Sequence, residues 1–160
     1  MFRAEGLRRS GAFDEVLGVG APLKAGEDRD ILYRMLRSGH AVLVVPTPAV
    51  EHREVKEMAI EGRRLLWDYA YAEGALCMKH LRLGDPAAIV TVLLLGPYLR
   101  LRWRNIIRLR GPTGVHNLGA FICGAAAGLR YRVRRGSRTF VPGARERRWS
   151  RWSRRLLRCG

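Results

Sequence analysis

Cysteine is scarce in this chain of 160 residues, and what there is lies far apart: Cys77, Cys123 and Cys159, with no Cys-x-x-Cys pair. That spacing excludes a disulfide framework and a four-ligand zinc site, and it suits a reducing compartment. Long apolar runs are missing too. Ala87–Leu99 and Leu118–Leu129 are apolar, but they hold 13 and 12 residues, against the roughly 20 that a helix needs to cross a bilayer. The opening MFRAEGLRRSG has no apolar centre, so no secretory signal is expected. The chain contains no Gly-Lys-[Ser/Thr] phosphate loop, no zinc-finger spacing and no aromatic RNA-binding motif. Nucleic acid is therefore disfavoured as a partner.

Acidic residues are absent from most of the second half. Residues 1–86 balance 13 Lys+Arg with 13 Asp+Glu, whereas residues 87–160 hold 17 Arg and one acid, Glu146. The net charge of +16 thus belongs to the second half alone, and points that half at an anionic surface. Arginine outnumbers lysine 27 to 3. A GC-rich gene produces the same bias, which weakens it as a sign of specific recognition. Arg100, Arg102, Arg104, Arg108 and Arg110, mixed with Trp103, separate the two short apolar runs. Short apolar segments flanked by Arg and Trp are typical of helices lying in a membrane interface; two buried helices of a bundle are the other reading. The end, GARERRWSRWSRRLLRCG, fits a solvated basic tail or a binding helix equally well.

Earlier in the chain, residues 4–9 read as a short helix stopped by Ser10-Gly11, with Phe13 packing beneath an Asp14-Glu15 turn. Gly18, Gly20, Pro22 and Gly26 make 17–26 a loop that lines a site. The stretch AGEDRDILYRMLRSG, residues 25–39, organises what surrounds it. Glu27, Asp28 and Asp30 crowd the first turn of an amphipathic helix whose apolar face is Ile31, Leu32, Met35 and Leu36, and Gly39 suits the left-handed residue after its end. Acids in a first turn favour the positive end of the helix dipole by roughly 0.3–1 kcal/mol each. A carboxylate exposed over a cleft as a general base has the same spacing, so spacing does not separate the two. Ala41–Val45 reads as a buried strand ended by Pro46 and Pro48, with Val50–His52 a second extended piece. Residues 54–83 read as one long helix with a stripe that includes Leu65, Tyr69, Ala72 and Leu76, and with Glu57, Glu61, Arg64 and Asp68 on the other side. Its aromatic members suit a core better than a ligand platform. Gly84-Asp85-Pro86 breaks it and marks a boundary.

Three pieces in order, FRAEGLRRSGAFDE, GVGAPLKAGEDRDILYRMLRSGH and VLVVPTPAVEHR, resemble the second half of the catalytic domain of inverting family-2 glycosyltransferases, which have the GT-A fold. The resemblance is strong over about the first third of the chain and continues weakly through LLWDYAYAEGALCMKH. It implies transfer of a sugar from a nucleotide-sugar donor to an acceptor hydroxyl with inversion. It makes Asp28, the second residue of the Glu-Asp pair, the general base and Glu27 a neighbour that shapes the site. It places His52 where a histidine after the last core strand joins the ligands of a divalent metal, Mg2+ or Mn2+, in a complete enzyme. Asp28-Arg29-Asp30 also spells the family's Asp-x-Asp triplet, but that triplet ends an earlier strand, whereas these residues begin a helix. The donor-binding half that carries it is expected to lie outside this sequence, leaving a fragment inactive alone.

The expected fold class is therefore α/β: a partial GT-A-like core of short strands and helices over residues 1–84, then a basic, mostly helical, membrane-peripheral region over 85–135 and a basic tail over 136–160. The expected partners are a nucleotide sugar, a sugar or lipid-linked acceptor and an anionic membrane surface. The expected place is the cytoplasmic side, peripheral to the inner face of a bacterial plasma membrane. The alternative from another class is a basic membrane- or nucleic-acid-binding module with no enzymatic role.

Overall fold

The computed structural model describes residues 3–43, 61–87, 90 and 112–143. These form four helices and one two-stranded sheet: α1 (Ala4–Ser10), α2 (Glu27–Arg37), α3 (Glu61–Arg82), α4 (Pro112–Arg130), β1 (Arg132–Arg134) and β2 (Thr139–Val141). The described part is α-rich. Its sheet is a hairpin that the sequence reading left out, antiparallel, with Arg132 opposite Val141 and Val133 opposite Phe140.

The core sits where an irregular segment crosses α3. Val16, Leu17 and Leu23 from the loop pack with Ala75 and Leu76 of α3 and Phe140 of β2, and Tyr71, Ala127, Tyr131 and Val133 close around them. The loop holds its shape through its own hydrogen bonds. Asp14 accepts from the Val16 amide at 3.2 Å, an aspartate turn of the kind that lets a side chain replace a backbone partner. The Leu23 amide donates to the Val16 carbonyl at 3.0 Å. The buried member of this turn is Asp14. Phe13, expected beneath it, is 46% exposed, because Asp14 instead points inward to ionic and backbone partners.

Helix α2 ends as the Gly39 signal implies. Gly39 has φ 83°, and the His40 amide donates to the Met35 carbonyl at 3.0 Å, the six-residue closure of a Schellman ending. Ile31 and Met35 are buried as expected, but Leu36 is largely exposed, and Asp30 and Arg34 are buried in its place. An Asp and an Arg four apart share a helix face, and here that face is the inner one.

Helix α3 is described from Glu61, so the expected start at 54 lies outside the described residues. It buries more than one stripe, since Ala70, Ala72, Glu73, Ala75, Leu76, Cys77, Lys79 and His80 are all inside. Helix α4 covers one side of it and α2 with its loop covers another. Against α4 the two backbones nearly touch. A Cβ added to Gly74 would collide with the Phe121 carbonyl, and one added to Gly124 with the Tyr71 carbonyl. Arg82 donates to the carbonyls of Gly128 at 3.2 Å and Tyr131 at 2.8 Å, satisfying acceptors at the end of α4.

The expected strand Ala41–Val45 is described only over 41–43. There the chain has no strand pairing, and Leu43 is 85% exposed. Residues 44–53, including the second extended piece and His52, lie outside the described residues, as does most of the 87–99 run. No helix among the described residues is long and apolar enough to cross a membrane.

Candidate functional site

The first turn of α2 meets the middle of α3 at a small cavity of about 180 Å³. Ala25, Ala72 and Leu76 give it an apolar wall, with Tyr69 beside them, and Asp28, Arg29 and Glu73 supply its polar side. Loop 17–26 reaches this cavity through Ala25 and Gly26, while its Leu17 and Leu23 belong to the core.

The three carboxylates of the acidic turn have different surroundings. Asp28 is exposed at the cavity and accepts from the Arg29 amide at 2.7 Å, so its charge sits at the positive end of the helix. Glu27 is half-buried against the glycine loop; a Cβ at Gly18 would lie 3.2 Å from its carboxyl carbon. Asp30 is almost wholly enclosed. Asp30 keeps the first-turn place expected of a helix-dipole residue, but it is held by ionic partners as well. It takes Lys79 Nζ at 2.5 Å, Arg34 Nε at 2.9 Å and His80 Nε2 at 3.2 Å. Burial by itself raises its pKa, but the His80 hydrogen bond and the charges of Lys79 and Arg34 outweigh that and bring it down to about 2.

Lys79 is fully buried and also pairs with Asp14 at 3.1 Å. Asp14 in turn accepts the Phe140 amide at 2.8 Å. Arg34 donates to the carbonyls of Ser10, Gly11 and Ala12. Two carboxylates and two basic side chains thus balance, and a neutral His80 keeps them balanced. Burial lowers the His80 pKa against the opposing pull of the Asp30 hydrogen bond. Its other ring nitrogen, Nδ1, is buried with no hydrogen-bond partner among the described residues; a neutral ring that donates through Nε2 leaves Nδ1 as an acceptor with no proton to place.

Beside this lies a second acid. Asp85, nearly buried, accepts from Tyr33 at 2.7 Å and from Arg37 and Arg138 at 2.9 Å each. Burial and Asp85 together push the Tyr33 phenol up to about 12. Glu73, also buried, forms an ion pair with Arg29 that fixes the polar wall of the cavity. The Cys77 thiol is pushed up to about 12 by burial and by Glu73, so it is no nucleophile at neutral pH.

No protein-family model, curated protein or solved structure matches this chain.

Of the residues singled out in the sequence, Asp28 lines the cavity and Glu27 stands next to it. His52 lies outside the described residues. Among the described residues no group of three or more His, Cys, Asp or Glu side chains is arranged to hold a metal ion. Sequence reasoning missed the Asp14–Asp30–Lys79–His80 set and the Arg29–Glu73 pair. A signal was available for one part of it: Lys79-His80 interrupts the apolar side of α3 just where a solvated face was not expected.

Proposed function

We propose that this chain carries the acceptor-side half of an inverting family-2 glycosyltransferase with a GT-A-type core, and that Asp28 is its general base. The observation that carries the reading is the separate fate of the acids. Asp28 alone stands exposed at the cavity, while Asp30 is consumed by Lys79, Arg34 and His80. In the reaction an acceptor hydroxyl gives its proton to the Asp28 carboxylate as its oxygen attacks the anomeric carbon of the donor. The bond from that carbon to the diphosphate breaks, and the nucleoside diphosphate leaves with the electron pair.

The size of the cavity bears on the acceptor. Pockets for drug-sized ligands run to about 300–1,000 Å³, so a space of about 180 Å³ takes a single ring. Tyr69 with the apolar wall suits a ring face, and Asp28 with Arg29 suits its hydroxyls. In this reading the donor is held by residues other than these 160, and the protein works at the cytoplasmic face of a membrane on a sugar or lipid-linked acceptor.

The test is to join this chain to the nucleotide-binding half of an inverting family-2 enzyme and to assay nucleotide sugars. Asp28→Asn is expected to lower kcat by on the order of 10²–10⁴, with donor affinity unchanged. Unchanged turnover in Asp28→Asn overturns the base assignment. Turnover by the 160-residue chain alone overturns the missing donor half.

A further inference from the structure

Helix α4 is apolar on both sides, and the structure uses one. Its inner side lies on α3 through Phe121, Gly124, Ala125 and Gly128, and Asn117 and Ala120 are buried as well. Its outer side carries Leu118, Ile122 and Leu129, which are 42%, 58% and 54% exposed, with exposed Ala126 between them. At 100° per residue these four fall within a sector of roughly 80°, one continuous strip. Apart from Arg130 at its last position, the helix has no Asp, Glu, Lys or Arg. A helix apolar all round is ordinarily enclosed on every side.

The strip runs into exposed positive charge. Arg130, Arg132, Arg134 and Arg135 are all exposed, while Val133 between them turns toward the core. Arg132 and Arg134 share one face of β1, because alternate residues of a strand do. No Asp or Glu occurs from residue 87 to residue 145, so the side-chain charges of this stretch itself have a single sign.

We propose that the outer face of α4 and the arginines that follow it form a docking surface for an anionic lipid bilayer, with the helix lying in the plane of the interface. Three occupants compete for such a face. A second copy of the chain brings the same charge of +16 and is repelled at long range. Nucleic acid satisfies the arginines but has little use for Leu118, Ile122 and Leu129. An anionic bilayer satisfies both, taking the strip among its upper acyl chains and the arginines among its headgroups. The helix is not apolar enough over its 19 residues to cross. The inference stands whether or not Asp28 acts as a base.

The experiment is flotation of the full chain with vesicles of equal parts phosphatidylglycerol and phosphatidylcholine, beside vesicles of phosphatidylcholine alone. Binding is expected to the first, weakly to the second, and to be reversed by high salt. Ile122→Glu with Leu129→Glu is expected to lower partitioning by on the order of 10²-fold. Arg132→Gln with Arg134→Gln is expected to lower it about fivefold per arginine; these residues are exposed, so this pair keeps the test alive if the first variant misfolds. Partitioning unchanged in both variants puts the binding surface elsewhere on the chain and overturns the proposal. So does equal binding to neutral vesicles, or no lipid binding together with a dimer that Ile122→Glu with Leu129→Glu dissociates.

Discussion

Two residues along a helix turn a side chain by roughly 200°, so Asp28 and Asp30 leave α2 on nearly opposite sides. One reaches the cavity and the other reaches Lys79. Burial of an ion costs several kcal/mol unless partners replace its water, and Asp30 has three such partners. Asp30→Asn and Lys79→Met each leave a buried charge short of its counterion. Each is expected to lower the unfolding free energy by about 3–5 kcal/mol, measured by urea denaturation. Asp28→Asn, at an exposed position, is expected to leave it within about 0.5 kcal/mol. Equal destabilisation by Asp28→Asn and Asp30→Asn would show that the two acids are not divided in this way. The acidic turn itself was legible in the sequence, because a first turn rich in acids is a local signal. The division of labour was not. It depends on Asp14 and Lys79, residues 16 and 49 positions away from Asp30, and spacing within one helix carries no record of them.

At the scale of elements, the α3–α4 contact is set by glycine. Backbones this close leave no room for even one methyl group at Gly74 or Gly124. Gly124→Ala is expected to force the helices apart and to cost at least about 1–3 kcal/mol, the range for overpacking. Gly119→Ala is the paired control. Among the described residues nothing lies within 4 Å of a Cβ there, so the better helix former should stabilise by up to about 1 kcal/mol. Thermal unfolding of the two variants is expected to move in opposite directions; a shift of the same sign in both would contradict the packing. The sequence displayed α4 as an apolar run too short to cross a membrane, and that much holds. Which face would be covered was not legible, since Leu118–Leu129 is apolar all round and its pairing with α3 rests on two glycines 50 positions apart. The hairpin was illegible for a related reason. RVRRGSRTFV is dominated by arginine, and it joins the core through Phe140, buried beside Tyr131 with ring centres 5.7 Å apart, and through Val133.

Across the whole molecule, one ionic set ties distant parts of the chain together. Asp14 lies in the first loop, Asp30 and Arg34 in α2, and Lys79 and His80 at the end of α3, while the amide of Phe140 closes on Asp14. The set is neutral only while His80 is neutral, so protonating His80 inside the fold adds an unbalanced charge. Its folded pKa lies below the ordinary 6.5; the unfolded chain therefore binds a proton more readily. The resulting stability is fully present above pH 6.5 and is lost as pH falls from there toward the folded value. Asp30 has the sign of a depressed carboxylate. Its contribution is present above the ordinary 3.8 and is lost as pH falls toward about 2, amounting to roughly 2–3 kcal/mol. Urea midpoints measured from pH 8 downward are thus expected to show a first decline beginning near 6.5 and a second below 4. Self-repulsion of a chain this basic also grows on acidification, but it is screened by salt. A buried histidine is screened much less. The first decline should therefore survive high salt in the wild type and flatten in His80→Gln, whose amide still donates to Asp30. A first decline that vanishes in salt, or persists in His80→Gln, would assign it to surface charge or to another histidine instead.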